Sequence, residues 1–302
     1  MRSRAKGIGL WLCLGGLALV LLAGGQAMAV DFGEAIPEEY RVGGFALGCQ
    51  AYTFNRYSFF EAVDKTRETG CRLIEAYPGQ KLSPDDPTQF NHDAPESVWQ
   101  AARDKLNEAG VRLVGYGVVG LGKDEAENRK VFEFAKNMGI LYITSEPSED
   151  ALDLIAKMAK EYGIPVAMHN HPSRPDRPAY KHWSPDFVLE CSEGREGWIG
   201  CCADTGHWMR SNVNPLEAIK KLEGNIVSMH IKDLNKYGRP GEHDVPFGTG
   251  EADMAAILDE LTRQGFKGVM SIEYEHNWTT SVPEIAQCVG FIRGYGQSLR
   301  KK

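Results

Sequence analysis

The chain has 302 residues, 42% of them hydrophobic, which is enough to bury a large core as one α/β barrel or two smaller domains. Its formal net charge of −7 argues against a nucleic-acid partner, whose phosphates demand a basic surface. Seven cysteines without a CxxC spacing exclude a zinc site of that kind and a disulfide-dense scaffold.

Residues 1–29 read as a secretory signal peptide: a basic "MRSRAK", the apolar "GIGLWLCLGGLALVLLAGG", and small residues in "AMA" at a cleavage point near Ala29. A retained membrane anchor competes, since the apolar run is about long enough to span a bilayer. Cleavage removes Arg2, Arg4 and Lys6, taking the charge from −7 to −10, and leaves one predicted domain, 30–302. The product is then exported, periplasmic or secreted. Export permits one or two disulfides among the six remaining cysteines, although scattered core thiols explain them equally well.

Along this domain short apolar runs alternate with helical patterns. The runs are "GFALGCQAYTF", "CRLIEAYPG", "VRLVGYGVVG", "GILYITSEP", "IPVAMHNHP", "WIGCCADTGHW", "IVSMHIKDL" and "GVMSIEYEHNW". Between them lie segments such as "SFFEAVDKTRETG", "ESVWQAARDKLNEAG", "EAENRKVFEFAKNMG", "EDALDLIAKMAKEYG" and "ADMAAILDELTRQG", each ending at Gly, a common helix stop. Eight such units predict an α/β protein with a single (β/α)8 TIM barrel. An open doubly wound sheet is the alternative, weakened by the absence of GxGxxG after the first strand.

In such barrels the chemistry sits at the C-terminal strand ends, and here charge and imidazole gather at the ends of the runs. Period-two alternation places Ala167 with His169, Cys202 with Asp204, Ser228 with His230 and Lys232, and Ser271 with Glu273 and Glu275. Val227, Met229 and Ile231 fall on the opposite face, as do Met168, Met270 and Ile272. His169, Asp204, His230 and Glu273 thus form an oxygen–nitrogen donor set for one divalent ion, with Mn²⁺, Mg²⁺, Co²⁺ or Zn²⁺ all compatible. His207 follows Asp204 by three residues, in the loop, and is expected to face the cavity as a substrate donor, a support for the ligands or an added ligand.

These motifs resemble the xylose isomerase-like barrel family of sugar phosphate isomerases and epimerases, a superfamily that also holds endonuclease IV-type enzymes. "ADTGHW" resembles the family's Asp-Thr-x-His element, "SMHIKDL" its His-x-Lys-Asp strand, and "VPFGTGEADMAAILDEL" its Gly-x-Gly-Glu-x-Asp loop. "GFKGVMSIEYE" resembles its last strand, ending in a metal-binding Glu. The resemblance implies ligation by Asp204, His230 and Glu273, with His207 and Lys232 near the substrate. One departure stands out: family epimerases carry a Glu at the fifth strand end, serving as ligand and base, where this chain has His169. The endonuclease branch uses histidines at strand ends where this chain has Glu75, Tyr77 and Tyr116, so DNA repair is not expected.

The chemistry so implied is removal of a proton next to a carbonyl, the metal stabilising an enediolate. Glu273 combines ligation with base duty; otherwise Glu75, His169 or His171 serves, with Lys232 or His207 stabilising developing oxyanion charge. Glu75 is equally readable as a structural carboxylate. His207, Trp208, His243 and Glu275 are the candidate substrate-binding residues, with His243 in a Gly-rich loop that folds over the site or caps the next helix. Tyr52, Tyr77, Trp183 and Trp278 join Trp208 as aromatics suited to stacking on a pyranose. Export favours a non-phosphorylated sugar or a keto-glycoside as the small-molecule partner. The same chemistry permits β-elimination, as in a 3-keto-glycoside lyase or hydrolase, and a catalytically silent sugar-binding barrel is the non-enzymatic alternative. A homo-oligomer is compatible with all of these.

Overall fold

The computed structural model describes residues 30–238 and 241–300; the expected signal peptide and its cleavage point lie outside the described residues. Among the described residues no helix is long and apolar enough to cross a membrane. Eight parallel strands run in the order of the chain: β1 (Ala46–Gln50), β2 (Leu73–Ala76), β3 (Arg112–Tyr116), β4 (Tyr142–Ser145), β5 (Val166–His169), β6 (Ile199–Asp204), β7 (Ile226–Ile231) and β8 (Val269–Ile272). β1 pairs with β8, so the sheet closes into a barrel and has no edge, and the doubly wound alternative falls.

Each of the first seven strands is followed by a helix that returns the chain: α1 (Phe59–Glu68), α2 (Glu96–Ala109), α3 (Glu125–Met138), α4 (Leu152–Tyr162), α5 (Pro185–Ser192), α6 (Thr205–Arg210) with α7 (Pro215–Lys221), and α8 (Met254–Arg263). The chain ends on α9 (Val282–Leu299) after β8. The helices start where the chain supplies caps. Ser58 and Glu61 form a reciprocal capping box on α1, and Asp124 and Asp253 cap α3 and α8. α2, α3 and α4 stop at Gly110, Gly139 and Gly163, each with φ between 61° and 69°, a region only glycine enters without strain.

Nearly every strand residue is buried, because helices cover the outside and side chains fill the inside. Met168, Cys201, Ala203, Met229, Ile231, Met270 and Ile272 pack outward under the helices. Ala167 and Cys202 lie inside with Ala46, Leu73, Val114 and Val269, as period-two reading expects. Val227 departs from it and joins the interior cluster. The β6–β7 register slips there, Cys201 pairing Ile226 and Cys202 pairing Ser228, so one extra residue on β7 interrupts the alternation.

The floor of the barrel is plugged by Phe32 and Ile36, which belong to the same interior cluster; Phe32 stacks on Tyr142 at 6.0 Å and its N–H donates to the Lys267 carbonyl. With one end sealed by apolar groups, polar side chains can collect only at the other. The six described cysteines are buried and unbridged, so no disulfide contributes here.

Candidate functional site

At the C-terminal rim β5, β6, β7 and β8 end side by side. His169 closes β5, Asp204 closes β6, His230 stands one residue before the end of β7, and Glu273 follows β8. Each of these residues offers one donor atom, and the four atoms lie within 4.8 Å of one another. All four side chains are buried. His169 Nε2 is 3.5 Å from Asp204 Oδ2, and His230 Nδ1 is 3.3 Å from Glu273 Oε2.

These atoms fit a cation for a reason beyond their chemistry. Among the described residues, His169 Nε2, Asp204 Oδ2 and His230 Nδ1 are buried without a hydrogen-bond partner. Such atoms are rare in folded proteins, and three converging on one point are what an ion would satisfy. Two imidazoles and two carboxylates suit Mn²⁺, Co²⁺ or Zn²⁺ and leave positions for substrate oxygens.

Each donor is held from behind. The Glu75 carboxylate accepts from Tyr142 Oη (2.8 Å), Thr144 Oγ1 (2.7 Å), Ser271 Oγ (2.9 Å) and His230 Nε2 (3.1 Å). Because a carboxylate only accepts, His230 carries its proton on Nε2 and turns Nδ1 to the cluster. Burial would push the Glu75 carboxyl up, but the His230 ring and the Thr144 and Tyr142 hydroxyls outweigh it and hold it below its ordinary value. Glu75 therefore sits beneath the cluster with both oxygens accepting hydrogen bonds, an arrangement in keeping with the structural one of the two readings the sequence left open. Asn170 clamps Asp204 across β5 and β6, its Nδ2 donating to the Asp204 carbonyl (3.0 Å) and its Oδ1 accepting the Asp204 N–H (2.8 Å).

Lys232 is buried with its ammonium 3.1 Å from Asp204 Oδ2, 2.7 Å from Glu273 Oε2 and 2.6 Å from Glu275 Oε2. Burial works against its charge, yet these carboxylates raise its pKa well above the lysine value. Of these contacts only the one to Glu275 is a hydrogen bond; Lys232 is not among the residues that line the cavity, and at these distances its charge offsets the acids around it. In return burial, which would raise Glu273, is overcome by Lys232 and His230, and Glu273 stays ionised.

His207 does not lie in a loop as expected. Asp204 is the N-cap of α6, accepting the His207 N–H at 2.7 Å, and the helix starts at once after β6. Arg210 donates to His207 Nδ1 at 3.1 Å, which fixes the ring proton on Nε2, 3.6 Å from Asp204 Oδ2. Burial drives its pKa well below the usual value; Asp204 opposes this and Lys232 adds to it, so the ring is a neutral donor. Gly206 is required by closeness, since a Cβ there would stand 2.8 Å from Lys232 Cβ.

Above the cluster opens a cavity of about 270 Å³, lined by Gln50, Tyr52, Tyr77, Gly117, His169, His171, His207, Glu273 and Glu275 among others. Tyr52 packs edge-on against Tyr77 (5.2 Å) and Trp278 (5.9 Å), forming an aromatic wall at the mouth. Two expected substrate residues do not reach it. Trp208 is one step round α6 from His207, which turns it into the outer core at 1% exposure. His243 lies apart from the cavity lining, its ring 4.3 Å from that of His276. Two residues the sequence reading missed matter instead. Gln50 lines the wall and donates to the Gly117 carbonyl at 2.7 Å. Glu146, one residue past β4 in "ITSEP", accepts from the Nδ1 of both His169 (3.4 Å) and His171 and from Tyr180 Oη (2.8 Å). Its signal was a further acidic strand end, the same one that marked Glu75.

A family model described as the xylose isomerase-like TIM barrel matches residues 63–294. The crystal structure of an uncharacterised protein of Parabacteroides distasonis superposes with a TM-score of 0.67 at 32% identity, covering 83% of this chain and 98% of that one. An L-ribulose 3-epimerase structure superposes with a TM-score of 0.61 at 17% identity, over 84% of this chain and 95% of its own, a likeness that speaks for the fold alone. An inosose dehydratase of Clostridium botulinum is 24% identical over 149 residues, 44% of this chain and 48% of that protein. The chain spans about half the length of the curated relatives it matches. The matched residues run from α1 to α9 and enclose every strand from β2 to β8 with the whole donor cluster, and the chain belongs to the xylose isomerase-like TIM barrel family.

Proposed function

We propose that the protein is a divalent-metal-dependent enzyme that moves a proton on the carbon next to a carbonyl of a non-phosphorylated sugar, as an isomerase or epimerase. The observation that carries this reading is the convergence of His169, Asp204, His230 and Glu273, with three of the converging atoms buried and unpartnered. A Mn²⁺, Mg²⁺, Co²⁺ or Zn²⁺ ion held there supplies a Lewis acid for the carbonyl and its neighbouring hydroxyl.

The protein's own groups do the rest. Glu273 borders the cavity as an ionised carboxylate and accepts the proton from carbon. The C–H electron pair stays on the sugar as an enediolate, and neutral His207 donates Nε2–H toward its oxygens. Lys232 helps keep Asp204 and Glu273 charged in a buried setting. Among the described lining residues two are carboxylates and none is Lys or Arg, so a phosphate would meet uncompensated negative charge. Tyr52 and Tyr77 suit the apolar face of a neutral ring. The 3-epimerase structures sharing the fold and the inosose dehydratase sharing sequence are in keeping with sugar chemistry of this kind.

A second reading, β-elimination from a 3-keto-glycoside by a lyase, is favoured by one observation: β5 presents histidines where a second carboxylate base is expected. The two differ in product. Metal-reconstituted protein is incubated in D₂O with a panel of ketoses and 3-keto-glycosides and followed by NMR. Deuterium entering the acidic carbon, with a new epimer or ketose–aldose pair, is the expected result, and release of the aglycone marks the lyase. Glu273→Gln should slow exchange ~10²-fold or more. Sugar binding with no deuterium incorporation under any metal would overturn the enzymatic reading.

A further inference from the structure

The wall of the cavity divides by chemistry. The donor cluster and the other charged lining groups come from the ends of β5 to β8. The lining supplied at the ends of β1, β2 and β3 is Gln50, Tyr52, Tyr77, Pro78, Gly117 and Val118, and none of these carries a charge. One cavity touches both sides, so a ligand lying across it meets the cluster at one end and this neutral surface at the other.

The outer part of the neutral side is aromatic and held in place. Among the described residues Tyr52 is the one large hydrophobic side chain that stands exposed, at 40%. It belongs to a single 3₁₀ turn, Ala51–Phe54, which β1 and β8 both anchor. Gln50 Oε1 accepts the Tyr52 N–H at 2.8 Å, while Thr53 Oγ1 donates to the Ile272 carbonyl at 3.3 Å and accepts the Tyr274 N–H at 2.9 Å. The rings of Tyr77 and Trp278 stand at 80° and 89° to that of Tyr52. Tyr57 Oη donates to the Thr279 carbonyl at 2.9 Å, tying the segment that carries Trp278 to the chain just past the turn. The Arg56 guanidinium lies over the Trp278 ring at 5.9 Å. A single exposed tyrosine is ordinary on a protein surface. One fixed from two strands, and continuous with a cavity, is a surface prepared for contact at little cost in ordering.

We propose that the wall of Tyr52, Tyr77 and Trp278 is an outer subsite for a second pyranose ring, so that the substrate is a disaccharide-sized glycoside whose first ring meets the donor cluster. This rests on the sugar reading above and deepens it by naming the substrate class. The first ring spends its carbonyl and hydroxyl oxygens on the charged side. The second ring has no such task, and lays a C–H face against the aromatic rings. The exposure of Tyr52 favours a sugar over a wholly apolar group, because the hydroxyl edges of a pyranose stay in water while one face is covered. The neutral lining fits an uncharged ring in the same way.

Calorimetric titrations in buffer containing Co²⁺ use glucose, cellobiose, maltose, trehalose and phenyl β-glucoside as probes. The proteins are wild type, Tyr52→Ala, Tyr52→Phe and Trp278→Ala. At least one disaccharide is expected to bind wild type ~10-fold more tightly than glucose. Tyr52→Ala and Trp278→Ala should bring that ratio toward one, and Tyr52→Phe, which keeps the ring, should preserve it. Alanine variants that weaken glucose and the disaccharide equally would reveal a merely structural wall and overturn the subsite. Disaccharides bound no more tightly than glucose by wild type would overturn it too. Phenyl β-glucoside bound more tightly than every disaccharide would overturn the choice of a sugar ring. Wild type that binds neither glucose nor any disaccharide would instead remove the sugar reading beneath the proposal.

Discussion

At the residue scale, the site works because each donor has a partner that decides which atom it offers. His230 is the clearest case: its Nε2 proton goes to Glu75 at 3.1 Å, so Nδ1 is the only atom it can turn to the cluster. Glu75 in turn needs Tyr142 and Thr144 from β4 and Ser271 from β8 to remain charged in the interior. Glu75→Gln replaces an acceptor with a group that can also donate, and frees the His230 tautomer. Metal affinity measured by titration should drop ~10- to 100-fold, and the metal-free protein should lose ~1–3 kcal/mol as a buried donor is left unpaired. Affinity equal to wild type would show that Glu75 merely fills space.

Elements show what the sequence made legible and what it hid. The eight apolar runs each contain a strand, and the face shared by Ala167 with His169, Cys202 with Asp204, Ser228 with His230 and Ser271 with Glu273 is the one that carries the cluster. That was readable because alternation within a strand is a local property. Whether Trp208 faces cavity or core was not, since it depends on a helix of six residues starting directly on Asp204 with no turn signal between. Glu146 was hidden for a different reason: its meaning lies in His169 and His171, more than twenty residues away, and in the neighbouring of β4 and β5.

The loop between β7 and α8 shows an element organised by one side chain. Asp233 accepts the backbone N–H groups of Gly248 (2.9 Å), Gly250 (3.0 Å) and Ala252 (3.0 Å). A Cβ at position 250 would collide with Asp233 and the Leu234 carbonyl, which is the physical content of the second glycine in "GTGEAD". Asp233→Ala orphans these donors and should cost ~2–3 kcal/mol in denaturant unfolding, with faster proteolysis confined to the 234–252 loop. Unfolding at the wild-type midpoint, with the loop equally resistant, would contradict that role.

At the scale of the whole molecule, an apolar plug seals one end of the barrel and a dense set of buried charges occupies the other. That arrangement makes stability pH-dependent. Burial pushes the Asp244 carboxyl up to about 7, against Lys232 and Arg210, which favour its charged form. An unfolded aspartate titrates near 3.8, so between these values the native state holds a proton that the unfolded state has lost. The contribution of Asp244 to the stability of the metal-free protein therefore falls as pH rises through that window and levels off above about 7. Asp244→Asn should match wild type near pH 4 and exceed it near pH 8, by no more than about 4 kcal/mol, as read from unfolding curves at the two pH values. A constant difference between the two proteins across that range would contradict the assignment.

Crystals grown with Co²⁺ and measured at the cobalt absorption edge test the metal centre most directly. The expected result is one anomalous peak ~2.0–2.2 Å from His169 Nε2, Asp204 Oδ2, His230 Nδ1 and a Glu273 oxygen. No peak at the rim, or a peak held by Glu146, His169 and His171 with Asp204 and His230 unligated, would contradict it.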